Sequence, residues 1–260
     1  MNEASSPQAR HATPRHKDAA GVLGRFHEIG ISTADIRASV EFYERLGFSH
    51  AQTADTWPHP YGVLTDGRIF LGLHQSSFDS PALTFVHAEV ARHARELESQ
   101  GVKLAYRHTA EHEFNTVGLK DPAGLMLSLI EARTYSPVLR RPERVSLCGY
   151  FEEFSMPSTD FATAKAFWEP LGFVATEETE LPYPHLALTS DHLDVAFHAP
   201  HIHPRPMLVF RDQGMRERLA TLRDLAIGTW HDPPNGMDST ANALLAAPEG
   251  TALLFLNEEG

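Results

Sequence analysis

Residues 25–32 alternate between apolar and polar side chains, the period-two pattern of a half-buried strand. Ser32, Thr33 and Asp35 then offer capping oxygens. Ile36, Val40 and Tyr43 recur at helical spacing up to Gly47, a helix C-cap. Three strand-like runs follow at roughly 48–54, 60–65 and 68–74, with Asp66-Gly67 as the hairpin turn between the last two. The order is βαβββ. It recurs at 82–87, 89–100, 103–107, 114–119 and 125–131.

The whole unit then returns. FHEIGISTADIRASVEFYERLGF at 26–48 matches FEEFSMPSTDFATAKAFWEPLGF at 151–173, so Phe26 recurs as Phe151, Glu28 as Glu153, Asp35 as Asp160 and Leu46-Gly47-Phe48 as Leu171-Gly172-Phe173. With one deletion, YGVLTDGRIFLGLHQ (61–75) lies against HLALTSDHLDVAFHA (185–199), which pairs His74 with His198. KDPAGLMLSLIE (120–131) matches AAPEGTALLFLN (246–257). Antiparallel strands interrupted by single helices predict an α+β protein of four βαβββ modules, whose curved sheets form two cups. The expected division is a disordered tail at 1–23, domains at 24–132 and 149–260, and a linker at 133–148.

At 260 residues, two domains of about 110–130 residues are the natural reading. A formal net charge of −12 argues against nucleic acid, which needs a basic face. The basic cluster of Arg140, Arg141 and Arg144 falls in the linker, with Pro137 and Pro142 among it. No stretch approaches the roughly 20 apolar residues of a membrane span, and the N-terminus lacks the apolar segment of a secretory signal. A single cysteine, Cys148, excludes an internal disulfide, fits a reducing cytoplasmic compartment and reads as a buried small hydrophobe.

FYERLGF, the Asp near the helix start and the DPAG turn before a final strand resemble the vicinal oxygen chelate superfamily. That superfamily includes glyoxalase I, bleomycin-resistance proteins, extradiol dioxygenases and methylmalonyl-CoA epimerases, and the resemblance runs from about residue 24 to the C-terminus. It implies glyoxalase-like domains in which a cup presents His and Glu to a divalent metal. Carried over by motif spacing, the ligand positions fall on Glu28, Gly72, Ala82 and Ser128, and in the second half on Glu153, Ala196, Pro206 and Leu254. One carboxylate per half is too few, since catalytic metal sites usually supply three protein ligands. No cofactor is therefore expected. The alternative is a shifted site for Fe, Mn, Ni or Zn using Glu28 and His74.

His74 and His198 lie two residues beyond Gly72 and Ala196, on the same strand face. A desolvated carboxylate is a suitable general base when a partner fixes it, which pairs Glu28 with His74 and Glu153 with His198. Tyr61, Trp57, His185 and Trp230 are ligand-wall candidates, whereas Phe42, Tyr43, Phe167 and Trp168 read as helix packing. HAPHIHP (198–204) reads as loose surface histidines. Small Gly72, Ala82 and Ser128 are expected to leave space in the first cup, and Leu254 to fill the second. The expected function is capture of a small, largely apolar or aromatic molecule in the first cup without metal, as drug-sequestering resistance proteins do. The alternative is a lyase, isomerase or dioxygenase acting through Glu28. A small-molecule ligand is the expected partner, with nucleic acid and membrane excluded and a homodimer left open.

Overall fold

A computed structural model describes residues 22–53, 57–110, 114–132, 145–176 and 178–258. The first half runs β1 (Arg25–Ser32), α1 (Ile36–Arg45), β2 (Ser49–His50), β3 (Tyr61–Thr65), β4 (Phe70–His74), β5 (Ala82–His87), α2 (Val90–Ser99), β6 (Leu104–His108), β7 (Thr116–Lys120) and β8 (Met126–Glu131). The second runs β9 (Tyr150–Pro157), α3 (Phe161–Trp168), β10 (Val174–Ala175), β11 (His185–Thr189), β12 (Val195–His198), β13 (Met207–Asp212), α4 (Met215–Asp224), β14 (Thr229–His231), β15 (Ala243–Ala246) and β16 (Ala252–Asn257). These are the four expected βαβββ modules. The run expected at 48–54 is shorter, a strand only at Ser49–His50.

Local chemistry places the helices. Asp35 accepts hydrogen bonds from the backbone N–H of Arg37 and Ala38, and Asp160 does the same for Thr163. Gly47 leaves α1 at φ 91°, a left-handed conformation that costs glycine nothing.

Each half makes one eight-stranded sheet, ordered β2-β3-β4-β1-β5-β8-β7-β6 in the first and β10-β11-β12-β9-β13-β16-β15-β14 in the second. At the centre of each, the opening strands of two modules pair antiparallel, β1 with β5 and β9 with β13. Alternation along the strands divides each sheet into two faces. Ile29, Ile31, Leu71, Leu73, Leu83 and Leu127 pack with helix residues such as Phe42 and Leu97. Glu28, Gly72, His74, Ala82 and Ser128 occupy the opposite, far face.

The helix sides of both sheets share one apolar cluster, which contains Phe48 and Phe210 with ring centroids 6.4 Å apart. The halves are also tied by matching polar contacts. Tyr43 on α1 donates to Glu249 at 2.8 Å, and Trp168 on α3 donates its indole N–H to Asp121 at 3.4 Å. Leu23, within the expected tail, is buried in this cluster, and Cys148, within the expected linker, is buried too. Residues 1–21, and Arg140, Arg141 and Arg144, lie outside the described residues.

Candidate ligand-binding site

Strand β1 carries a bulge at His27, so Phe26 faces Phe85 on the helix side while Glu28 faces Thr84 on the far side. Strand β9 carries the matching bulge at Glu152. Glu28 is 1% exposed, and its carboxylate lies over Gly72 of β4. A Cβ at Gly72 would meet the Glu28 carboxyl at 2.2 Å. The space expected in front of Glu28 is therefore taken by its own carboxylate.

Two side chains hold that carboxylate. The Tyr61 hydroxyl donates to Oε2 at 2.6 Å, and His74 Nε2 lies 3.1 Å from Oε1. Tyr61 and His74 are directly opposed on β3 and β4, which brings both to Glu28. His74 Nδ1 in turn bonds His59 Nε2 at 3.0 Å, which makes a chain His59–His74–Glu28–Tyr61. Desolvation and the neighbouring His74 lower the pKa of His59. Aromatic rings close over His74: Tyr61 at 4.5 Å, Trp57 at 5.0 Å and Phe78 at 5.5 Å between centroids. Trp57 and Phe78 are exposed at 39% and 38%, so they form the rim rather than the core.

The sequence brought Glu28, His74, Tyr61 and Trp57 into consideration, and the structure places all four together. His59 and Phe78 were missed. Both lie in connections, beyond the reach of strand periodicity.

The same face continues across the sheet. Glu28, Thr84, Ser128 and Gly118 stand in register on β1, β5, β8 and β7, and Ala82 stands opposite Gly30. Tyr106 of β6 folds over Gly118, where a Cβ would meet its ring at 2.1 Å, and its hydroxyl donates to Ser128 Oγ at 3.0 Å. Burial raises the Tyr106 pKa, so the phenol stays a neutral donor.

The second sheet shares the bulge and the buried carboxylate but differs in what surrounds them. Tyr183, Met207, Val209, Leu244, Leu254 and Leu256 pack together on its far face, with Leu254 fully buried as expected. Ala196 replaces Gly72 and His185 replaces Tyr61, so Glu153 has neither the seat nor the phenol donor of Glu28. Burial pushes Glu153 up to about 8, Glu152 and Asp194 add to the rise, and Arg211 opposes it. His198 is not a loose surface residue, nor the partner of Glu153. It is fully buried, its Nδ1 accepts from Ser155 Oγ at 2.8 Å and its Nε2 donates to the His203 carbonyl at 2.9 Å. Desolvation lowers it to about 4, which keeps it neutral. Trp230 packs on Phe255 in the helix-side cluster, not on a ligand wall.

No family model and no curated protein sequence matches the chain. Solved structures do. A catechol 2,3-dioxygenase aligns with TM-score 0.56 at 18% identity, over 88% of this chain and 86% of that one. Homoprotocatechuate 2,3-dioxygenase from Brevibacterium fuscum, in complex with 3,4-dihydroxyphenylacetate, aligns with TM-score 0.59 at 15% identity, over 91% and 81%. The Arthrobacter globiformis homoprotocatechuate 2,3-dioxygenase gives 0.56 at 16%, over 90% and 79%. The chain has the vicinal oxygen chelate fold. Identity this low speaks to fold alone.

The metal implied by the vicinal oxygen chelate fold can be tested against the donors present. Of the carried-over positions in the first half, Gly72 and Ala82 have no donor atom, Ser128 accepts from Tyr106, and the volume over Gly72 is filled by the Glu28 carboxylate. Among the described residues no three His, Cys, Asp or Glu side chains converge in a ligand geometry. The residues at these positions do not fit the group. The shifted pair, Glu28 with His74, brings two donors.

Proposed function

We propose that this vicinal oxygen chelate protein binds a small, single-ring aromatic molecule on the far face of its first sheet, in the first of the two cups, without a metal. The observation that carries this reading is the contrast between equivalent faces. In the second, Leu244 and Leu254 complete an apolar cluster. In the first, the corresponding positions are Gly118 and Ser128, and a buried carboxylate is held at the base of an aromatic rim. Aromatic walls with a few fixed polar groups are the usual make-up of a small-molecule site. Glu28 supplies the acceptor, Tyr61 and His74 hold it, and Trp57 and Phe78 offer ring faces.

A second reading has its own support. The chain His59–His74–Glu28 links a buried carboxylate to a half-buried imidazole, an arrangement suited to moving a proton at a bound ligand, as a lyase or isomerase does. Titration of a simple phenol such as 4-ethylphenol, followed by calorimetry, tests the binding reading. Glu28→Gln is expected to weaken it at least tenfold, about 1.4 kcal/mol, and Glu153→Gln to leave it unchanged. The reverse ranking would place the site in the second half.

A further inference from the structure

We propose that the site has two ends. Ser128 and Tyr106 form a hydrogen-bond-donating end, and the ligand is a ring with a donor at one end and a carbonyl acceptor at the other. This rests on the small-molecule reading above and specifies its chemistry. Two side chains lie down on the far face of the first sheet, and each does so over a glycine. Glu28 lies over Gly72, and Tyr106 over Gly118; a Cβ at either glycine would stand within 2.2 Å of the side chain above it.

The stations between them are in register. Glu28 on β1, Thr84 on β5 and Ser128 on β8 occupy one row across adjacent strands. The Glu28 carboxylate lies over Gly72 on β4, and β4 is three strands from β8, which carries Ser128. At about 4.8 Å per strand the two ends stand roughly 14 Å apart, room for one ring with a hydrogen bond at each end.

The two ends have opposite polarity. Tyr61 donates to one carboxylate oxygen of Glu28 and His74 lies on the other, so with one bond at each oxygen Glu28 retains lone pairs for a ligand hydroxyl. At the other end Tyr106 donates to Ser128 Oγ, which leaves the serine hydrogen to donate in turn. The donor at that end is a neutral hydroxyl, so the acceptor it suits is a neutral carbonyl. Thr84, 8% exposed, lies between the ends and borders the ring. In the second half the matching positions hold Ala196, Leu244 and Leu254, and neither end exists.

Two nearly isosteric probes separate the ends: 4-hydroxyacetophenone, and 4-ethylphenol, which lacks the carbonyl. Calorimetric titration of the full chain is expected to show about tenfold tighter binding of 4-hydroxyacetophenone, the effect of one well-placed hydrogen bond. In Ser128→Ala and in Tyr106→Phe, which keep the side-chain bulk, that preference is expected to fall below about twofold. Equal binding of the two probes by the wild-type chain, or a preference that survives both substitutions, would overturn the two-ended site while leaving the binding reading intact. Binding of neither probe would overturn both.

Discussion

Glu28 and Gly72 share a single volume: a Cβ added at Gly72 would stand 2.2 Å from the Glu28 carboxyl. The glycine is what allows a carboxylate to lie flat on the sheet between Tyr61 and His74. Gly72→Ala is therefore expected to destabilise the protein by about 1–3 kcal/mol, as overpacking does. Combining it with Glu28→Ala should recover part of that loss, because the clash partner is gone. Urea denaturation of the two single variants and the double variant measures this, and strictly additive losses would show that the two do not compete for space.

Tyr61 is the nearer of the two groups holding the buried carboxylate. Tyr61→Phe removes the 2.6 Å bond while keeping the ring. A loss of about 1–3 kcal/mol in unfolding free energy is expected, the cost of leaving a buried acceptor short of a donor. No change would mean that water reaches Oε2 freely.

Glu153 predicts a pH dependence with a definite sign. Its folded pKa is about 8, against an ordinary value of 4.5, because burial disfavours the charged form. The native state thus keeps a proton that the unfolded chain releases. The associated stability is complete below the unfolded pKa and is lost as pH rises through about 8. Across that window the slope approaches roughly 1.4 kcal/mol per pH unit. Glu153→Gln should flatten it, so the difference between variant and wild type grows from pH 5 to pH 8 in the variant's favour. Parallel stability curves would contradict the assignment.

The contact from Tyr43 to Glu249 ties α1 to the turn before β16. Tyr43→Phe keeps the packing and removes the bond, which predicts a loss of about 1–2 kcal/mol. Ser39, which also donates to Glu249, limits the effect. A thermal unfolding scan checks it.

Dialysis against a chelator is expected to leave the affinity for 4-hydroxyacetophenone within about twofold, because Glu28 and His74 alone fall short of the three ligands a catalytic metal site supplies. Affinity lost to chelator, restored by Fe, Mn, Ni or Zn and abolished in His74→Ala would instead establish the shifted metal site.

The periodic pattern and its repetition by themselves determined the four modules and the caps at Asp35 and Asp160. Strand alternation joined to the resemblance to the vicinal oxygen chelate superfamily put His74 on the face of Glu28 and marked Leu254 as a filler of the second half. These are local properties: side-chain alternation is a consequence of strand geometry, and a duplicated pattern duplicates it. What lies above a glycine is not local. Gly72 reads as empty space in the sequence, yet a side chain from the neighbouring strand occupies it, and Gly118 is covered by Tyr106 in the same way. The bulge at His27 sets which face Phe26 takes, and it depends on register with β5. His59 and Phe78 come to His74 from connections whose paths no periodicity specifies. The pairing of strands and the course of loops decided which polar groups meet, because those contacts join residues distant in the chain through packing that only the folded sheet provides.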